Sequence, residues 1–116
     1  MICFFHGGDL DGHASGAIIK KQFPEIELYG IDYEDPFPWD MIEDDRPDTV
    51  VMADFSLPME DMQRLKDACG QLIWIDHHAT SIKNAADFGF ATMGLRQVGT
   101  AACELCWQFF FRELYT

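Results

Sequence analysis

Positive charge is scarce in this chain of 116 residues: 8 Lys and Arg face 20 Asp and Glu, for a net charge of −12. Long nucleic acid is held mainly by Lys and Arg at its phosphates, so that partner class is disfavoured. A small anion can still bind an acidic protein where cations invert the local charge. There is no apolar run of membrane-spanning length, so no membrane partner is expected. The opening MICFFHGGDLDG has no basic segment ahead of a long apolar one, so no secretory signal is expected either. Cysteine is sparse. Cys3, Cys69, Cys103 and Cys106 form no dense disulfide framework, and reduced thiols in a cytoplasm are the expectation. Cys103 and Cys106 make a CxxC with no second pair to complete a zinc site. Within its apolar surroundings the pair reads as core packing. Internal repeats, low-complexity tracts and linkers are also missing.

The chain does have enough apolar residues for a core, 48% of the total, and its length suits one domain. Residues 2–5 read as a buried strand that ends at His6, Gly7 and Gly8. A helix is expected from Asp11 to before Pro24, and a second strand over residues 27–31. Between Asp32 and Asp48 lie eight acids opposed only by Arg46. That segment reads as a solvated acidic loop with a helical turn near residues 39–42. Residues 49–53 form a third strand. Pro58 opens a helix carrying Met59, Met62, Leu65 and Ala68, which Gly70 ends. Residues 72–75 form a fourth strand. Ser81 is expected to cap a helix reaching Phe88, residues 90–93 to form a fifth strand, and Thr100 to cap a last helix running to Leu114. Apolar strands alternating with helices imply a three-layer α/β domain, with a mainly parallel sheet of about five strands flanked by helices. The last helix is apolar all round. Residues 99–116 are therefore expected to pack against a further domain or a second copy of the chain.

Three of these strands end in acid or imidazole. The first delivers His6, Asp9 and Asp11, the third Asp54, and the fourth Asp76, His77 and His78. In open parallel sheets ligands bind beyond the carboxyl ends of the strands, and βαβ spacing brings these three ends together. Each residue alone has an ordinary explanation, such as a turn, a cap or a satisfied histidine. The argument rests on their coincidence. Carboxylates gathered this closely disfavour one another's ionisation unless cations intervene. Carboxylates with neutral imidazoles suit Mn²⁺, with Mg²⁺, Co²⁺ and Zn²⁺ as alternatives. An aspartate bridging two ions would make a centre of the kind used in phosphoryl hydrolysis. His13 reads as an exposed helix residue outside this set.

The motifs HGGDLDG (6–12), VVMADFS (50–56) and IDHHATS (75–81) resemble, in order and context, the first three motifs of the DHH phosphoesterases. GTAACELCWQFF (99–110) is similar to the helix that follows the triplet in that family. The resemblance implies that His6 and Asp9 bind one metal, Asp11 and His77 a second, and Asp54 bridges them. It implies that His78 contacts the substrate phosphate, that Asp76 holds His77 in its tautomer, and that Ser15 orients the first loop or a phosphate. The implied activity is hydrolysis of phosphodiester or pyrophosphate bonds in a small nucleotide or short oligonucleotide by a metal-activated water, with Mn²⁺ the leading ion. Family members carry a fourth-motif Asp and a C-terminal substrate-binding domain beyond the point where this sequence stops. Residues 1–116 are thus expected to be one DHH-type domain, incomplete at its C-terminus. The alternative reading is a nucleotide-binding protein, sequestering or sensing, with little turnover.

Overall fold

The computed structural model describes residues 1–112. The elements run β1 (Ile2–His6), α1 (Leu10–Gln22), β2 (Glu27–Ile31), α2 (Trp39–Asp45), β3 (Thr49–Ala53), α3 (Met59–Ala68), β4 (Gln71–Asp76), α4 (Ala79–Phe88), β5 (Met93–Arg96) and α5 (Ala102–Phe110). The strands form one sheet in the order β2-β1-β3-β4-β5, and every neighbouring pair is parallel. This is the expected α/β architecture.

The pleat divides the apolar strand residues between two cores. Phe4, Val50, Met52, Leu72 and Trp74 face a layer containing Ile42 of α2, Met62 and Leu65 of α3, and Ala85 of α4. Cys3, Phe5, Val51, Ala53, Ile73 and Ile75 face Ile19 of α1 and Leu105 and Cys106 of α5. Central strands buried on both faces need continuous apolar runs, which is why β1, β3 and β4 show no polar alternation. β2 is an edge strand and exposes all but Ile31.

From β1 the chain moves outward to β2, then returns past β1 and continues through β3, β4 and β5. Right-handed crossovers then require α1 on one face and α2, α3 and α4 on the other, as the two cores show. The direction of winding reverses between β1 and β3, and a crevice opens there at the carboxyl ends of the strands. Gly12 lets α1 begin directly against that end of β1. A Cβ at this position would lie 1.8 Å from the His6 carbonyl oxygen.

Four boundaries differ from expectation. The fifth strand is Met93–Arg96 rather than 90–93, because the Phe90 N–H closes α4 on the Ala85 carbonyl at 2.9 Å and the Phe90 ring packs on Trp74. The helix α4 begins at Ala79, after His78 at the cap position. Ser81 lies inside it, and its hydroxyl pairs with that of Ser56, which follows β3, at 2.8 Å. The turn near residues 39–42 extends to a seven-residue helix, which ends at Arg46 in the left-handed conformation. Thr100 does not cap α5; Ala101 holds that position without a side-chain bond. The expected extension of this helix to Leu114 falls partly on residues 113–116, outside the described residues.

Candidate metal centre

At the ends of β1 and β4, backbone N–H groups hold a carboxylate in place. After β1, Asp9 caps α1, and its Oδ1 accepts the Gly12 N–H at 2.7 Å. That leaves Oδ2 facing His6 Nδ1 at 3.0 Å. Burial works to raise the Asp9 carboxyl, but the Gly12 N–H, with Asp54 and His6, outweighs it and holds the group below its ordinary value. After β4, Asp76 is fully buried. Its Oδ1 accepts the His77 N–H at 2.8 Å, the His78 N–H at 3.3 Å and His78 Nδ1 at 2.6 Å.

Asp54 stands between these two groups. It leaves β3 with φ 58, a left-handed conformation that Asp tolerates better than branched residues do, though still with strain. Its N–H donates to the Ile75 carbonyl at 2.9 Å, which holds the turn against β4. Its Oδ1 lies 2.9 Å from His77 Nε2, and its Oδ2 lies 3.9 Å from His6 Nδ1. Burial, then the charges of Asp11 and Asp9, push its carboxyl up to about 6, against the lowering effect of His77.

Two sets of candidate ligands result, with Asp54 common to both. His6, Asp9 and Asp54 form one, and Asp54, Asp76, His77 and His78 form the other; in each set the ligand atoms lie within 4.8 Å of one another. Asp54 Oδ2 and Asp76 Oδ2 are buried carboxylate oxygens with no hydrogen-bond partner among the described residues. Leaving such an oxygen unsatisfied is costly, and a divalent cation would satisfy it. The donor chemistry and these two orphaned oxygens both fit a metal. The cluster is one able to coordinate a divalent cation.

Six of the expected residues therefore come together: His6, Asp9, Asp54, Asp76, His77 and His78. Asp11 lies beside them, with Oδ2 3.4 Å from His77 Nε2, but its carboxylate is engaged elsewhere. It accepts the Ala102 N–H at 3.0 Å and the Cys103 N–H at 2.8 Å, and so caps α5 from across the fold. Two roles require correction. The imidazole that Asp76 orients is His78, not His77, because the chain turns into α4 and brings His78 Nδ1 back over the carboxylate, while the His77 ring reaches Asp54. Ser15 is fully buried, and its hydroxyl donates to the Asp11 carbonyl at 2.8 Å. That bond lies within α1, four residues back along the helix, and the buried hydroxyl has no surface to offer the loop or a phosphate.

Sequence reasoning assigned Asp32 to the solvated acidic loop. In the structure its Oδ1 accepts from His6 Nε2 at 2.8 Å. The missed signal was its position directly after β2, a fourth acid at a strand end. Tyr33 follows, with its ring 4.4 Å from Phe55 and 5.5 Å from His6, and it forms an exposed aromatic rim. Compared with known proteins, the chain matches no family model, no curated protein and no solved structure, so the reading of this centre rests on its own geometry.

Proposed function

We propose that this chain is a metal-dependent phosphoesterase of the DHH type, hydrolysing phosphodiester or pyrophosphate bonds in small nucleotides or short oligonucleotides. The observation that carries this reading is Asp54, a buried carboxylate shared by two candidate ligand sets at the crevice of a parallel sheet. His6, Asp9 and Asp54 would hold one ion. Asp54 and His77 would hold the other, with Asp11 Oδ2 and Asp76 Oδ2 the oxygens beside them. Divalent cations at these positions supply Lewis acidity, which activates water and neutralises charge building on the phosphoryl group.

The protein's own residues position and orient. His78 Nδ1 is tied to Asp76, so Nε2 is the nitrogen free to meet substrate. In its protonated form it donates to a phosphoryl oxygen as charge grows there. The Asp76 carboxylate fixes the angle of that ring by gripping both the ring and the backbone N–H that precede α4. The acidic character of the chain favours small anions over long nucleic acid, because few cationic side chains are present to follow a polyphosphate backbone.

The test is Mn²⁺-dependent hydrolysis of bis-p-nitrophenyl phosphate and of a cyclic dinucleotide panel, run beside calorimetry with the same nucleotides. Wild type should turn over substrate, and Asp54→Ala should lose that activity. Equal activity in the two proteins would falsify the assignment. Tight nucleotide binding without product would replace it with a binding protein.

A further inference from the structure

His6 is held from two sides by carboxylates, and those on only one side belong to the ligand sets. Its Nδ1 faces Asp9 Oδ2 at 3.0 Å and Asp54 Oδ2 at 3.9 Å. Its Nε2 faces Asp32 Oδ1 at 2.8 Å. A neutral imidazole has one proton for two nitrogens, and a metal needs the bare one. We propose that Asp32 is the positioning residue of this centre: it accepts the Nε2–H of His6 and so presents Nδ1, unprotonated and correctly aimed, to the cation held by Asp9 and Asp54. This inference rests on the metal-centre reading above and adds a residue to it.

The surroundings are built for this contact. The Asp32 N–H donates to Asp35 Oδ2 at 2.9 Å, and the Asp35 N–H donates to the Asp32 carbonyl at 3.0 Å. This pair of bonds fixes a tight turn directly after β2. The Gly7 N–H donates to the Ile31 carbonyl at 3.0 Å, which pins the loop after β1 to the same turn. Gly8 leaves the gap through which the two side chains meet. A Cβ there would lie 3.0 and 3.1 Å from the Asp32 carboxylate oxygens and 3.3 Å from His6 Nε2. Tyr33 and Phe55 flank the His6 ring, limiting its rotation. A ligating histidine whose other nitrogen donates to a carboxylate is the general means by which proteins fix ring orientation and strengthen the ligand.

Three variants test the inference by two readouts. Asp32→Ala removes the acceptor from a half-exposed side chain. Gly8→Ala leaves the carboxylate but wedges it away from His6. Asp32→Asn keeps an oxygen acceptor without the charge. In metal-free protein at about pH 8, the ¹⁵N shifts of the His6 ring should report a larger Nε2–H share in wild type and in Asp32→Asn than in the other two variants. In Asp32→Ala and Gly8→Ala, Asp9 is the acceptor left beside the ring, and the proton should shift toward Nδ1. By calorimetry, Mn²⁺ affinity should fall roughly 10- to 100-fold in Asp32→Ala and Gly8→Ala, and less in Asp32→Asn. Adding Asp32→Ala to His6→Ala should cost no further affinity. Unchanged tautomer and unchanged affinity in Asp32→Ala would overturn the role of Asp32 and leave the metal centre standing. Failure of wild type to bind Mn²⁺ would instead remove the metal centre itself.

Discussion

Asp54 combines a left-handed backbone, near-complete burial and two neighbouring carboxylates, and each of these opposes the ionised form or the fold. The consequence can be measured in metal-free protein. The folded-state value of about 6 lies above the ordinary 3.8, so the fold binds this proton more tightly than the unfolded chain does. The resulting stabilisation is complete below the unfolded value and is lost as pH rises through about 6. Above about pH 6 the ionised Asp54 therefore destabilises metal-free protein. Asp54→Asn keeps a residue tolerant of the left-handed region and removes the titration. At about pH 7.5 metal-free Asp54→Asn should melt above wild type, and near pH 4 the two should converge. A lower melting temperature for the variant at the higher pH would contradict this account. Asp54 was legible in the sequence because a lone acid ending an apolar strand is conspicuous beside two others. The partner of Asp76 was not legible. Which of two adjacent histidines reaches back to an acid is decided by how the chain turns into α4, and spacing alone carries no such information.

At the scale of elements, α5 is joined to the centre through Asp11, whose carboxylate takes the Ala102 and Cys103 N–H groups. Acids near a helix N-terminus stabilise it through hydrogen bonds and the helix dipole. Asp11→Ala should lower stability by about 0.5–2 kcal/mol. It should also raise amide hydrogen exchange at Ala102 and Cys103 selectively; exchange there at wild-type rates would rule the cap out. The start of α1 makes a second case. Gly12→Ala should displace α1 from β1, since the added carbon meets the His6 carbonyl at 1.8 Å, and the loss should appear as a lower melting temperature together with weaker Mn²⁺ binding. A variant that melts and binds as wild type would show that the approach can relax. Most strands and helices could be read from apolar runs and breakers. The caps could not, because Asp11 lies about ninety residues before the helix it caps, and local sequence preferences do not look that far. β5 was misplaced because Phe90 is as apolar as a strand residue, although it belongs to the packing on Trp74.

Taken as a whole, the molecule sets a strongly negative chain around a crevice proposed for an anionic substrate. Cations must come first, so nucleotide binding should require divalent metal and vanish with a chelator. Metal at about a hundred times its dissociation constant should stabilise the fold by about 2.7 kcal/mol, a rise of roughly 10 °C in melting temperature. A chelator that leaves the melting temperature of purified, metal-loaded protein unchanged would count against a specific site. The location of the centre was legible at this scale, because strands ending in like chemistry meet wherever right-handed crossovers make them neighbours. Asp32 escaped notice because the order β2-β1-β3 puts β2 beside β1, and its acid was hidden among many others in the same segment.

The central claim is that Asp54 joins two ligand sets into one centre. Electron paramagnetic resonance of the protein loaded with two equivalents of Mn²⁺ tests it most directly. A carboxylate shared by two Mn²⁺ ions couples their spins, so wild type should give an exchange-coupled multiline spectrum. Asp54→Ala should give only the signal of isolated ions. Isolated-ion spectra in both proteins, or coupling that survives in Asp54→Ala, would contradict the shared site.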